Sequence, residues 1–505
     1  MKPSTSLFSL LHSLSQAEKR YLSVYSERHV KGEQNKYKLL LDAIWKQSEY
    51  DEAAIKKLWA ENGNKASQFA ASKNYLFGLA LQAMRDFHRS ENPHAEVQAM
   101  IEDANFLIAR GLSDDGLKMA DRAMKKAVQF ELNDLILQIN RILRTQSSWR
   151  QSDKIEQEHA ELAENSKAAL TEIQLNLDAE ILYYKVLRIA RQQFRARSQK
   201  LKTEVDALIE SETLAMAGNS NQFTPRLFHH RSKALVAQLN GDHEQAYYYQ
   251  MLLFQRFQKH PVMQRKFSGA YLTTVANLLA ASHTAGQYES MPSILSFLKS
   301  IPANSPKEKI EIKQNLLYYK LLHALNTDQW EAIPHVASDL VKLLEKKSDG
   351  IPHSRITAIR YNVGLAYFFL EDYSAALAAL NEIQNGNNGK NRKDIQRAAR
   401  LMQAVVHYQL GHLDLLEYLL RSLQRQLKSS QTLYEFEETL IQDLKQLIKQ
   451  PNLREEILEG LLDKLQKLST DPEKGQAPGL LELRYWAEAS ILGCSLITVV
   501  KQGRQ

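Results

Sequence analysis

Several stretches of the 505-residue sequence carry residue types that could do chemistry, and spacing decides what each can do. "GNNGKN", Gly386–Asn391, offers the glycines and lysine of a phosphate loop. A P-loop needs four residues between its glycines and Ser or Thr after the lysine. Here two asparagines intervene, Asn391 follows Lys390, and no strand pattern precedes, so the stretch reads as a loop. The pairs His229–His230 and His407–His412 miss the i, i+4 spacing that puts two imidazoles on one helical face, and no HExxH occurs. They read as core or surface histidines. The one cysteine, Cys494, lies among apolar residues, the setting of a buried, inert thiol. Adjacent carboxylates such as Glu437 and Glu438 read as solvated helix surface. No catalytic, cofactor-binding or metal-binding constellation emerges, and the chain is expected not to be an enzyme.

Two further stretches raise binding rather than catalysis. Tyr247, Tyr248 and Tyr249 invite base stacking, but consecutive residues of a helix point about 100° apart and cannot form one platform. In "RIARQQFRARSQKLK", the residues Arg188, Arg191, Arg195 and Lys202 fall within an arc of about 60° on a continuous helix. No acidic residue interrupts the segment. Such a basic face suits a phosphate backbone or an acidic partner, and equally a solvated surface. The net charge of +7 permits nucleic acid as a partner without requiring it.

The elements that would position these residues are helices. With 19 Gly and 12 Pro, the chain has about half the usual roughly 12% share of breakers, and no segment sustains strand alternation. Breaker clusters fall at 91–96, 217–226, 301–309, 347–354, 385–393 and 469–479. The first segment, residues 1–95, reads as an N-terminal helical module, with a capping box predicted at Ser15 and Glu18. A single cysteine, no recognisable signal peptide, and a longest C-terminal apolar run, "ILGCSLITVV", well short of the ~20 residues of a spanning helix all point to the cytoplasm.

Beyond the module the chain repeats itself. In "YNVGLAYFFLEDYSAALAAL", Gly364 sits inside a strong helix former and is followed by Tyr367, Tyr373, Ala376 and Leu380 at fixed offsets. A helical glycine costs roughly 1 kcal/mol relative to alanine, so another backbone or side chain must approach closely there. The same turn recurs near residues 241, 286, 328, 371 and 411, at intervals of 45, 42, 43 and 40, and another helix pair begins around Leu112.

Residues 225–425 thus resemble the tetratricopeptide (TPR) repeat, with a period longer than its 34 residues. The resemblance implies an all-α fold: a superhelical solenoid of TPR-like antiparallel helix pairs over 96–450, followed by a C-terminal helical cap at 451–505. It implies a protein–protein interaction scaffold or adaptor that takes a peptide or helix in a concave groove; a nucleic-acid-binding helical-repeat regulator is the alternative. By the same resemblance the groove is lined by Tyr318, Leu322, Leu325, Tyr361, Leu365 and Phe368. These are apolar, so no carboxylate clamp is expected. An apolar lining of this size calls for a cover, either a partner helix or the chain's own Leu483–Val500, which otherwise caps the last helix pair.

Overall fold

The computed structural model describes residues 5–28, 36–89, 91–147, 155–192, 199–303, 305–347, 350–385, 393–429, 435–469 and 478–503. Among these residues there are 26 α-helices, short 3₁₀ turns and no strand, an all-α fold. The chain gathers into two compact units, Met1–Ala281 and Ser282–Gln505, so the boundary falls inside the stretch expected to form one solenoid.

In the first unit, α1 (Ser6–Ser13), α2 (Gln16–Arg28), α3 (Lys36–Trp45), α4 (Glu52–Glu61) and α5 (Phe69–His88) share one core. Leu11, Leu22, Leu41, Ile44, Trp59 and Leu76 are fully buried in it. The capping box forms as the sequence predicts: Ser15 N–H donates to Glu18 Oε2 at 2.6 Å, and Glu18 N–H to Ser15 Oγ at 3.3 Å. Next come α6 (Pro93–Ala109), α7 (Ser113–Gln129), α8 (Asn133–Ser147), α9 (Ile155–Gln192), α10 (Gln199–Ile209) and α11 (Glu212–Asn219). They are followed by α12 (Phe223–Asn240), α13 (His243–Lys259), α14 (Pro261–Lys266) and α15 (Ser268–Thr284), within which the unit ends. The long helix α9 packs on both α8 and α12. The Glu131 carboxylate accepts from Phe223 N–H at 2.8 Å, capping the positive end of α12.

The second unit continues with α16 (Met291–Ser300), α17 (Pro306–Asn326), α18 (Ile333–Lys347), α19 (His353–Phe369) and α20 (Tyr373–Asn385). It ends with α21 (Lys393–Gln409), α22 (Leu413–Ser429), α23 (Glu435–Lys449), α24 (Arg454–Ser469), α25 (Leu480–Leu492) and α26 (Leu496–Gln502). Successive helices pack on one another, and in addition α17 packs on α19, α19 on α21, and α21 on α23. Odd-numbered helices therefore form a contiguous row. Gly364 explains why α19 and α20 come so close. A Cβ at that position would lie 2.8 Å from both Cγ and Cδ2 of Leu380.

One turn chemistry joins these helices. Gly241, Gly286, Asp328, Glu371 and Gly411, the five positions marked in the sequence, all have positive φ, from 57° to 77°. In each case the following residue's N–H reaches back five residues: Asp242 to Ala237 O, Gln287 to Ser282 O, Gln329 to Ala324 O, Asp372 to Tyr367 O and His412 to His407 O. This is the bond that closes a helix through a left-handed residue. Gly111 and Glu131 build the same closure with Leu112 and Leu132. At Asp328, Glu371 and Glu131 a side chain occupies a conformation that favours glycine.

Two half-buried histidines give the fold a pH dependence. Burial, helped by neighbouring His229, Arg256 and Arg226, pushes His230 down to about 4, and burial alone pushes His283 down to about 4. The unfolded chain takes up protons at these sites below its ordinary pKa of 6.5, whereas the folded chain stays neutral until about 4. Stability is therefore lost as pH falls from 6.5 towards 4, at about 1.4 kcal/mol per pH unit for each histidine. Denaturant titrations at pH 7 and pH 5 are expected to show this loss. His230→Gln together with His283→Gln should reduce it.

Candidate functional site

The C-terminal helices seat on the row of odd-numbered helices. Two left-handed glycines delimit α25, Gly479 at φ 92° and Gly493 at φ 62°, and α26 starts from Ser495, whose Oγ accepts from Thr498 N–H at 3.3 Å. The glycine break lets the axes of α25 and α26 diverge by 110°. Leu480, Leu483, Trp486, Leu496, Val499 and Val500 are all buried.

Four contacts fix where this hairpin lies. Gly479 backs onto Tyr361 and Ala398; a Cβ there would stand 3.6 Å from the tyrosine Oη and 3.7 Å from Ala398 Cβ. The Tyr485 ring sits 6.5 Å from Phe369, edge to face. Trp486 meets Tyr408 of α21 at 6.0 Å, nearly perpendicular. Leu496 N–H, at the positive end of α26, donates to Glu371 Oε1 at 2.8 Å. The segment Leu483–Val500 thus reaches back to α19 and α21 while α25 also packs on α24. The seat carries unmet polarity. Trp486 Nε1 is buried with no acceptor among the described residues; burial raises the Glu482 carboxyl above its ordinary range, against backbone hydrogen bonds from Glu482 and Gly479 that lower it.

All six residues expected to line a groove, Tyr318, Leu322, Leu325, Tyr361, Leu365 and Phe368, are buried. Tyr361 meets the hairpin at Gly479. Tyr318 instead joins α17 to α19, its hydroxyl accepting from Asn362 Nδ2 at 3.1 Å, with the Arg355 guanidinium 5.2 Å from its ring. Phe368 turns towards α20, where its ring meets Tyr373 at 5.9 Å, and the neighbouring Phe369 takes the hairpin side. Phe368 and Phe369 point about 100° apart around α19.

The basic face is only partly placed. Arg188 is exposed on α9; Arg191 and Lys202 belong to the helical stretches of α9 and α10, but their side chains, like the whole of Arg195, lie outside the described residues. The four therefore do not share one described helix. "GNNGKN" also lies outside the described residues, as do 470–477. Tyr248 is exposed while Tyr247 and Tyr249 are half-buried, and Tyr249 faces His230 at 6.3 Å. The closure at Gly411 folds residue 412 back onto residue 407, bringing the Nδ1 atoms of His412 and His407 to 3.3 Å. Sequence spacing misses this because it assumes an uninterrupted helix. Burial and the second imidazole hold His407 below its ordinary range.

On another side of α19 an open cleft of about 630 Å³ runs between α18 and α20. Val341, Leu344, Val363, Tyr367 and Ala379 line it, and Arg360 on its wall is neutralised by Glu382 at 3.1 Å. Among the described residues no single helix is long and apolar enough to cross a membrane. No protein-family model matches the sequence, and neither curated proteins nor solved structures include a match.

Proposed function

We propose that the chain is a non-catalytic interaction scaffold whose odd-helix row in residues 282–505 accepts an amphipathic helix. The observation that carries this reading is the seating of α25–α26 on Tyr361, Phe369, Glu371 and Tyr408. A face that takes apolar helical residues from its own chain has the chemistry to take them from another. TPR-like pairing in a superhelical solenoid is the architecture that best accounts for the recurring closure, the small-residue contact at Gly364 and the stacking of alternate helices. The single cysteine suits a reducing, cytoplasmic setting for such a scaffold.

The reading is tested with a labelled peptide of residues 478–503 added to a chain ending at residue 477. Saturable binding that Phe369→Ser and Tyr361→Ser weaken supports it. A folded truncated chain that ignores the peptide overturns it. A smaller test concerns the latch: Glu371→Ala should loosen the hairpin by about 1–2 kcal/mol through loss of a charge-assisted hydrogen bond, read as faster proteolysis within α25–α26.

A further inference from the structure

The 38-residue helix α9 is apolar on two sides. Ala179, Leu182, Val186 and Ile189 are buried within the unit. On the outside, Leu170, Leu177, Ile181 and Tyr184 are 53%, 49%, 44% and 54% exposed. At about 100° per residue these four fall within an arc of about 60°, and the half-buried Ile173 borders it. From Leu170 to Tyr184 the stripe is roughly 21 Å long at 1.5 Å per residue. Single exposed apolar residues are ordinary, but a continuous line of them on one helix marks an interaction surface.

We propose that a second copy of this chain covers the stripe, its α9 lying antiparallel with the two-fold axis at Leu177. The pattern is symmetric about that residue. Leu170 and Tyr184 each stand seven positions from it, and Ile173 and Ile181 each four. Antiparallel pairing therefore sets Leu177 against itself, Leu170 against Tyr184, and Ile173 against Ile181. Self-complementarity of this kind is what a two-fold contact requires, and an unrelated partner does not. Charge selects the same direction. The N-terminal third of α9 carries Glu156, Glu158, Glu161 and Glu164, while Lys185, Arg188 and Arg191 lie towards its other end. Parallel helices would gather like charges at each end; antiparallel helices oppose acidic to basic and also oppose their dipoles.

Five side chains per copy bury less than the ~800 Å² per partner of a standard interface, so the dimer is weak and depends on concentration. Sedimentation of the full chain from ~1 µM to ~100 µM is expected to show a monomer–dimer equilibrium. Leu177→Arg puts two cations on the axis and should weaken association at least about 30-fold with an unchanged helical CD signal. Leu170→Glu and Tyr184→Lys should each weaken it alone. Combined in one chain they should restore it, since every introduced carboxylate then faces an introduced ammonium; in a parallel pair the combination would repel at both positions. A chain that stays monomeric throughout this range overturns the proposal, and so does a dimer indifferent to Leu177→Arg or not rescued by the combined variant. A monomer whose stripe captures an unrelated protein overturns it as well.

Discussion

Replacing Gly364 by leucine is expected to destabilise residues 282–505 by about 3 kcal/mol, lowering the melting temperature by about 6–12 °C. The cause is geometric. Even alanine places a Cβ 2.8 Å from the Cγ of Leu380, and Leu380 is wholly buried on α20 and cannot swing into solvent. Gly116 is held in the same way: a Cβ added there would meet Ile108 Cγ1 at 2.6 Å and Ala104 O at 2.9 Å. Gly78 in α5 and Gly460 in α24 supply the contrast, since neither has anything within 4 Å of such an atom. Alanine at either should stabilise by about 0.5–1 kcal/mol, the ordinary helix preference. Thermal melts of Gly364→Ala and Gly460→Ala should therefore move in opposite directions. If both rise, the close packing of α19 on α20 does not constrain this helix pair.

What is legible in the sequence is what depends on neighbouring residues. The five turn positions can be read because a helix closure needs a left-handed residue followed by a new helix start, and both leave local traces. The Ser15–Glu18 capping box is another such trace. Glu131, in contrast, closes α7 with no glycine to announce it, and Asp328 and Glu371 are marked only by the aromatic residue two positions later. The facing of α19 is not legible. Ile359, Tyr361, Val363, Leu365 and Phe368 are all buried, so apolar residues surround the helix and no polar side fixes its rotation. The outer stripe of α9 is hidden for a related reason. A helix apolar on opposite sides has no net amphipathic direction, and only exposure in the folded chain separates the side turned inward from the side left open.

Ending the chain at residue 477 is expected to leave the remaining helices folded while uncovering Tyr361 and Phe369. Seven large apolar side chains lose their burial, from Leu480 to Val500, and each fully buried one is worth about 1.5–3 kcal/mol. Against this stands the buried Trp486 N–H, which has no acceptor among the described residues and costs about 1–3 kcal/mol. The unpaired indole N–H weakens the docking of the hairpin, unlike the packing of α19 on α20, and a weakened contact is one that a competing helix can displace. The truncated chain should keep its helical CD signal per residue, melt only modestly earlier, and bind a hydrophobic dye several-fold more strongly. Tyr361→Ser with Phe369→Ser should remove that gain, because the dye then finds hydroxyls where two aromatic rings stood. If truncation instead unravels α21–α24, or if the dye gain survives both substitutions, then α25–α26 serves only to close the end of the helix row.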